Sequence, residues 1–195
     1  MSATNDFCGI GEVISAPQFC HKTKFGDCFQ FHVKVMRNSG KFDIFRCIVL
    51  HHLMDKVKVG NPIEIYGEIR TRNEWVNNKN KLKVYVWAKE IFNPAPEAVY
   101  TNRISLDGVI CKPPILRDTP LGKRICDVLL AVNRPYGESD YIPCILWGKS
   151  AEIVSEKEVG ARLVIRGRFQ SREYEKDGQI MTAYEVSAEQ FEGGV

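Results

Sequence analysis

The chain repeats itself, and this internal repeat restricts the fold more than any other feature of the sequence. The two halves align first at an offset of 97 residues and, after a three-residue insertion, at an offset of 100. The aligned segments are residues 11–19 with 108–116, 43–49 with 140–146, 63–72 with 163–172, and 86–91 with 186–191. We predict two similar domains, at residues 1–92 and 102–192, joined by a linker at 93–101 in which Pro94 and Pro96 discourage regular structure.

Each repeat has the pattern of short β-strands. Apolar residues alternate at period two along residues 29–35, and glycines at 67 and 167 interrupt later strands where a barrel must bend. A short segment at residues 51–60, matched by 148–160, is typical of a brief helix, and turn residues at 77–80 and 176–178 separate two long strands. This order predicts an all-β chain of two tandem five-stranded OB-fold (oligonucleotide/oligosaccharide-binding) barrels, each with a short helix between strands 3 and 4.

Several functional classes are disfavoured by the sequence. Its apolar runs are too short to cross a bilayer, and its first residues do not resemble a secretory signal, so we expect a cytoplasmic protein without a membrane partner. The seven cysteines contain no C-x-x-C pair. A zinc site at Cys8, Cys20, His21 and Cys28 has unfamiliar spacing, and we favour reduced thiols with no metal or cofactor. The four histidines lie in the first repeat without catalytic spacing, and no phosphate loop is present, so we predict no enzyme activity.

Net charge gives little guidance about the partner. The chain carries +3 overall, from 27 Lys and Arg against 24 Asp and Glu. The first half, to Glu97, is net positive and the second is slightly negative, although the second half is rich in arginine. Guanidinium groups pair with phosphate and stack on bases, so the placement of the arginines matters more than their number.

The second repeat resembles the bacterial single-stranded DNA-binding proteins. The resemblance covers most of residues 102–191 in the order of that family, and its segments are residues 102–108, 116–122, 131–134, 140–152, 167–174 and 184–188. It implies the OB fold, sequence-tolerant binding of single-stranded DNA in replication, recombination or repair, and an assembly of four barrels, hence a homodimer here. The family usually ends in an acidic tail that recruits other proteins. This sequence ends at Val195 without one, so we do not expect that recruitment.

A protein that binds single strands without reading sequence needs aromatic rings for the bases and cations for the phosphates. The resemblance implies base stacking at Tyr141, Trp147 and Tyr174, and strand alternation puts Tyr141 and Trp147 on the face opposite the core. Trp147 buried under the short helix and Tyr174 merely facing solvent are the competing interpretations. The candidate cations are Arg134, Lys149, Arg168 and Arg172, followed by the weaker Arg117 and Lys123.

The first repeat retains only part of this set. Ile44, Leu50 and Glu74 replace the three rings, with Trp75 next to Glu74. We therefore expect the first barrel to bind DNA more weakly than the second. The remaining candidates are the arginines Arg37, Arg46, Arg70 and Arg72 and the ring of Trp75. Tyr85 and Trp87 alternate with valines on the last strand, as either a substitute base platform or an assembly surface, and we favour assembly.

Two other functions fit the same pattern. One is a protein-interaction or replication-restart accessory module built from OB folds, with weak or no DNA binding. The other is an RNA-binding barrel of the cold-shock or translation type, which shares the electrostatics.

Overall fold

The computed structural model describes residues 5–76, 79–99, 101–135, 137–176 and 178–193. The described residues of Asp6–Arg103 form one compact unit, and those of Ile104–Val195, with Asn5, form the other. We call them the N-terminal and C-terminal units. The predicted turn residues Asn77, Asn78 and Asp177 lie outside the described residues. No helix in the described part of the chain is long and apolar enough to span a bilayer.

Five strands of the N-terminal unit close into a barrel. The strands follow one another around it in the order β1, β3, β4, β6, β5 and back to β1, with only the β4–β6 pair parallel. A sixth strand, β2, extends the sheet beyond β3. The elements are β1 (Asn5–Val13), β2 (Gln18–Thr23), β3 (Gly26–Met36), β4 (Phe42–Leu50), a 3₁₀ helix (His51–Lys56), β5 (Pro62–Val76) and β6 (Lys79–Phe92).

The C-terminal unit repeats this arrangement. Its barrel closes in the order β7, β9, β10, β12, β11 and back to β7, with β10 and β12 parallel and β8 added beside β9. The elements are β7 (Asn102–Ile110), β8 (Ile115–Asp118), β9 (Arg124–Asn133), β10 (Ser139–Trp147), α1 (Lys149–Ser155), β11 (Arg162–Lys176) and β12 (Gln179–Gly193). The prediction of an all-β chain is confirmed, and β2 and β8 are strands that the sequence pattern did not reveal.

Gly67 and Gly167 stand at equivalent irregularities in the two barrels. The register between the paired strands shifts at Tyr66/Gly67 in β5 and at Arg166/Gly167 in β11. A Cβ at Gly67 would collide with the carbonyl oxygen of Trp87, and one at Gly167 with that of Ser187. Glycine is therefore required by the close approach of the neighbouring strand, where a bulge bends the sheet.

The inward faces of the matching strands β4 and β10 form the barrel cores, as period-two alternation predicts. Phe45, Cys47 and Val49 are buried in one unit, and Ile142, Cys144 and Leu146 are buried in the other. Full burial raises the pKa of the Cys47 and Cys144 thiols well above the ordinary range. The opposite face is not exposed at its centre. Ile48 and Ile145 lie on that face but are 0% and 4% exposed, and Ile48 packs against Cys28 and Tyr85.

Candidate nucleic-acid interface

The outward side chains of five strands in the C-terminal unit share one surface, which we call the C-terminal face. The register pairs Tyr141 with Ala131 and Trp147 with Ile125, while on β11 Arg172 pairs with Ala183. Directly paired residues point to the same side of a sheet, and so do alternate residues along a strand. The face consists of Arg117 on β8; Ile125 and Asp127 on β9; Tyr141, Pro143, Ile145 and Trp147 on β10; Glu185 and Ser187 on β12; and Arg168, Gln170, Arg172 and Tyr174 on β11.

The three aromatic rings singled out from the sequence are all partly exposed on this face. Tyr141 is 46% exposed, and Trp147 and Tyr174 are each 37% exposed. Trp147 is not buried under the short helix, because its Nε1–H reaches Ser187 Oγ on β12 at 3.0 Å. This hydrogen bond satisfies the polar edge of the indole and fixes its orientation while one ring face stays accessible.

Three of the candidate cations have no carboxylate partner among the described residues. Arg168 contacts only the side-chain oxygen of Gln170, at 3.4 Å. Lys149 begins helix α1 immediately after the strand that carries Trp147, and Lys123 lies in the β8–β9 turn, both exposed to solvent. Their charges are available to an anionic ligand.

Arg172 and Arg117 are paired with carboxylates on the same face. Arg172 contacts Glu185 at 3.3 and 3.4 Å, which are long for charged hydrogen bonds, and its guanidinium lies 5.7 Å from the Tyr174 ring centre. Arg117 contacts Asp127 at 2.5 and 3.1 Å, and this bond raises the pKa of the guanidinium. Arg172 is the more easily released of the two.

Arg134 and its counterpart Arg37 have a different role from the other arginines. Arg134 forms a two-pronged ion pair with Asp140, which is 1% exposed, and Arg37 forms the same pair with Asp43, which is 0% exposed. The arginine side chains are themselves less than one-fifth exposed. Each pair fastens the hairpin between adjacent strands, so we leave both arginines out of the interface proposed below.

The equivalent surface of the N-terminal unit, which we call the N-terminal face, is apolar at its centre. Ile48, Cys28 and Tyr85 are buried there, with Cys20, Leu50 and Trp87 packed against them. Tyr85 is thus covered within its own unit, which removes it from the exposed pair expected from the sequence. Trp75 is the most exposed ring of the three tryptophans, but it alternates with Glu74 on β5 and therefore lies on the other side of the sheet from this face.

Two glutamates neutralise the arginines of the N-terminal face. Glu74 accepts bonds from Arg72 at 2.6 and 2.9 Å and from Arg46 at 3.2 Å. Burial raises the pKa of Glu74, but the hydrogen bonds and charges of the two arginines outweigh it and hold the pKa below its usual value. Glu68 binds Arg70 and Lys89 in the same way, with the same net lowering of its pKa.

Sequence reasoning missed the polar residues of β12 and the carboxylates that hold the cations. Glu185 and Ser187 align with Tyr85 and Trp87 at an offset of 100, so the internal repeat could have located them on the outward face. For a metal site, no described residues bring three or more His, Cys, Asp or Glu side chains together.

Comparison with known proteins assigns the family. The profile of the Single-strand binding protein family matches residues 101–193. Single-stranded DNA-binding protein 3 of Listeria innocua is 40% identical over 96 residues, covering 45% of this chain and 60% of the relative. Single-stranded DNA-binding protein 1 of Streptococcus pyogenes is 33% identical over 101 residues, covering 48% of this chain and 76% of the relative. The chain belongs to the single-strand binding protein family. This chain covers less than two thirds of the length of the Listeria innocua relative.

The fold likeness extends over both units. The wild-type single-stranded DNA binding protein from Thermus aquaticus superposes with a TM-score of 0.76 at 22% identity, covering 98% of this chain and 93% of that one. A deletion mutant of the same protein gives the same score and covers 94% of its chain. At this identity the likeness concerns the fold alone. Membership of a family described by binding agrees with the prediction that the chain is not an enzyme.

Proposed function

We propose that the C-terminal face binds single-stranded DNA without reading its sequence, in replication, recombination or repair. The observation that carries the proposal is the placement of Tyr141, Trp147 and Tyr174 on one face by strand register, each partly exposed. Every base has a flat ring face, so such a surface accepts any sequence, and stacking contributes roughly 1–3 kcal/mol per base.

The cations of the face supply the second half of the interaction. Arg168, Lys149 and Lys123 offer charge without breaking a carboxylate pair among the described residues, and we expect them to contact the phosphates first. Arg172 follows, since its bonds to Glu185 are long, and it already stacks beside Tyr174. Arg117 contributes least, because releasing it leaves Asp127 without its partner.

Titration of the full chain with oligo-dT tests this proposal. Stacking on Trp147 should quench tryptophan fluorescence, and the logarithm of the affinity should fall with the logarithm of the salt concentration by about 0.7 per phosphate neutralised. Replacing Tyr141 by Ala should weaken binding about tenfold or more. Tyr66→Ala is the matched control, because Tyr66 is 38% exposed but belongs to the N-terminal unit, where it pairs with Cys8 of β1. A protein-interaction module would show neither quenching nor salt dependence, and a preference for oligo-U would favour the RNA-binding alternative.

The remaining proposals concern assembly and location. We propose a cytoplasmic homodimer that presents four barrels, supported by family membership and by the two units within each chain. Light scattering should give twice the chain mass, and a monomer would overturn it. Of the candidate residues of the N-terminal unit we retain Arg46, Arg70 and Arg72, and we expect weaker binding there than on the C-terminal face because carboxylates largely neutralise their charges. Trp75 is left out of this face, because it lies on the other side of β5.

A further inference from the structure

The indole on the outward face comes from a different strand in each unit. In the C-terminal unit Trp147 stands on β10, and its ring reaches Ser187 on β12. The aligned positions in the N-terminal unit are Leu50 on β4 and Trp87 on β6, which both pack in the apolar cluster. The tryptophan stands on β10 in one unit and on β6 in the other, and the smaller side chain stands on the partner strand each time. An indole therefore covers the same part of the barrel surface in both units.

Arg70 covers the exposed side of the Trp87 ring. The guanidinium carbon lies 5.2 Å from the ring centre, within the range of a cation–π contact. Glu68 holds Arg70 in that position by accepting two of its N–H groups at 2.7 and 2.9 Å, and Lys89 binds the other oxygen of Glu68. A planar guanidinium stacks on aromatic rings much as a base does, so Arg70 occupies the place that a base needs.

Further cations lie on the same side of the sheet, farther along β6. The register pairs Arg72 with Lys83 and Glu74 with Lys81, which puts both lysines on the same side of the sheet as Trp87. As on the C-terminal face, an aromatic ring shares its side of the sheet with cations, here with Glu68 and Glu74 paired to the arginines. The ring and the cations match a single-stranded nucleic acid in ring chemistry and in charge.

We propose that Trp87 is a second base-stacking platform for single-stranded DNA. In the free protein Arg70 covers this platform and is held there by its ion pair with Glu68. A base that stacks on Trp87 displaces the guanidinium, which then turns to the phosphate backbone. This inference rests on the function proposed above, because it assigns the same ligand to the second barrel. It also accounts for weaker binding there, since the ligand must first break the Arg70–Glu68 pair.

Two full-length variants with a single tryptophan each test the inference. Trp75→Phe combined with Trp147→Phe leaves Trp87 as the only tryptophan, and Trp75→Phe combined with Trp87→Phe leaves Trp147 as the only tryptophan. Both variants are titrated with oligo-dT at low salt. We expect quenching in both, at higher DNA concentration for the Trp87 reporter.

Glu68→Gln in the Trp87 reporter tests the role of Arg70. Loosening the ion pair should raise the affinity at Trp87 about threefold. Glu90→Gln is the control, because it makes the same charge change on β6 but stands opposite Tyr66 in the register. Equal gains from the two variants would reduce the effect to net charge and overturn the covering role of Arg70.

The reporters separate the two proposals. If Trp147 is quenched and Trp87 is unchanged at saturating DNA, the second platform is overturned while the C-terminal interface stands. If neither responds, the function proposed for the C-terminal face fails as well. Quenching of Trp87 that is tightened by Glu68→Gln and not by Glu90→Gln supports the inference.

Discussion

Strands β4 and β10 occupy the same place in their barrels, and their inward side chains are nearly interchangeable. Phe45, Cys47 and Val49 fill one core where Ile142, Cys144 and Leu146 fill the other. On the outward side the two strands differ, with Tyr141 and Trp147 on β10 where β4 has Ile44 and Leu50. Packing constrains the inward residues because every core contact depends on them. Outward residues other than the buried Ile48 and Ile145 are less constrained, so we expect differences in function between the units to arise on the outer faces.

The carboxylates of the two faces differ in the same way. Glu74 stands where the C-terminal unit has Tyr174, and it binds Arg72 closely, whereas the counterpart Arg172 makes only long contacts to Glu185 and lies beside the tyrosine ring. One substitution thus removes a ring and neutralises an arginine. A face can therefore keep its cations in the sequence and still offer little charge to a ligand.

The ion pairs Arg37–Asp43 and Arg134–Asp140 should give the strongest response to substitution. Replacing Asp43 or Asp140 by Ala should lower the unfolding free energy of its own unit by about 3–5 kcal/mol, because an arginine that is less than one-fifth exposed loses its buried carboxylate partner. Hydrogen exchange of the amides in β3 and β4, or in β9 and β10, measures each unit separately. Glu138→Ala is the control, since Glu138 also pairs with Arg134 but is mostly exposed. A large loss for one of the two variants and a small loss for the other would contradict an equivalent role of the two ion pairs.

An exchange between Tyr174 and Glu74 tests the outer faces. Tyr174→Glu should weaken oligo-dT binding by about 1–3 kcal/mol, because it removes a ring and adds a carboxylate beside Arg172. Glu74→Tyr should strengthen binding by a smaller amount through the release of Arg46 and Arg72. Calorimetric titration measures both. Thr182→Glu adds the same charge on the other side of this hairpin, and an equal loss there would mean that net charge alone decides.

The salt dependence of DNA binding should distinguish cations that contact phosphate from cations that are paired with a carboxylate, and this effect is smaller. Arg168→Ala and Lys149→Ala should each reduce the salt dependence of oligo-dT binding by about 0.7 in the logarithmic slope, the value for one phosphate. Arg162→Ala is the control, because Arg162 binds Asp107 outside the C-terminal face. Fluorescence titrations across a salt series measure the slopes. An unchanged slope for Arg168→Ala would remove it from the phosphate contacts.

The smallest effect is a pH dependence confined to the N-terminal unit, which contains all four histidines. Burial and then the nearby arginines lower the pKa of His21, and burial and Arg46 lower that of His32. As the pH falls below about 6.5, the unfolded chain takes up these protons first, so the stability of this unit should fall. Carboxylates such as Glu74 contribute only below pH 4.5, because their folded pKa is lowered. Hydrogen exchange between pH 7 and 5 should show this loss, and His21→Gln with His32→Gln should abolish it.

Much of the fold follows from the sequence because the internal repeat and the period-two pattern report burial. The core faces of β4 and β10 were predicted correctly on that basis. Strands β2 and β8 were missed since Ile115–Asp118 is exposed at every residue, which leaves no alternation to detect. The burial of Ile48 was also missed, because it depends on Cys28 and Tyr85, which neighbouring strands bring over it.

The interface was less accessible to sequence reasoning than the fold. The rings were correctly placed on the outward side, but the state of each arginine depends on a carboxylate that is distant in sequence, as Glu185 is from Arg172. The Arg134–Asp140 pair is an exception. Both repeats keep an arginine six residues before an aspartate, and this repeated spacing could have identified a structural ion pair.

The exchange of Trp147 and Ser187 for Leu50 and Trp87 has a consequence for how the two halves diverged after duplication. Either single step leaves the surface with two competing indoles or with none, so the effect of each mutation depends on whether the other has already occurred. Such epistasis makes reversal improbable once both have been fixed. The two halves therefore evolve separately at these two positions, even though the barrel fold beneath them is the same.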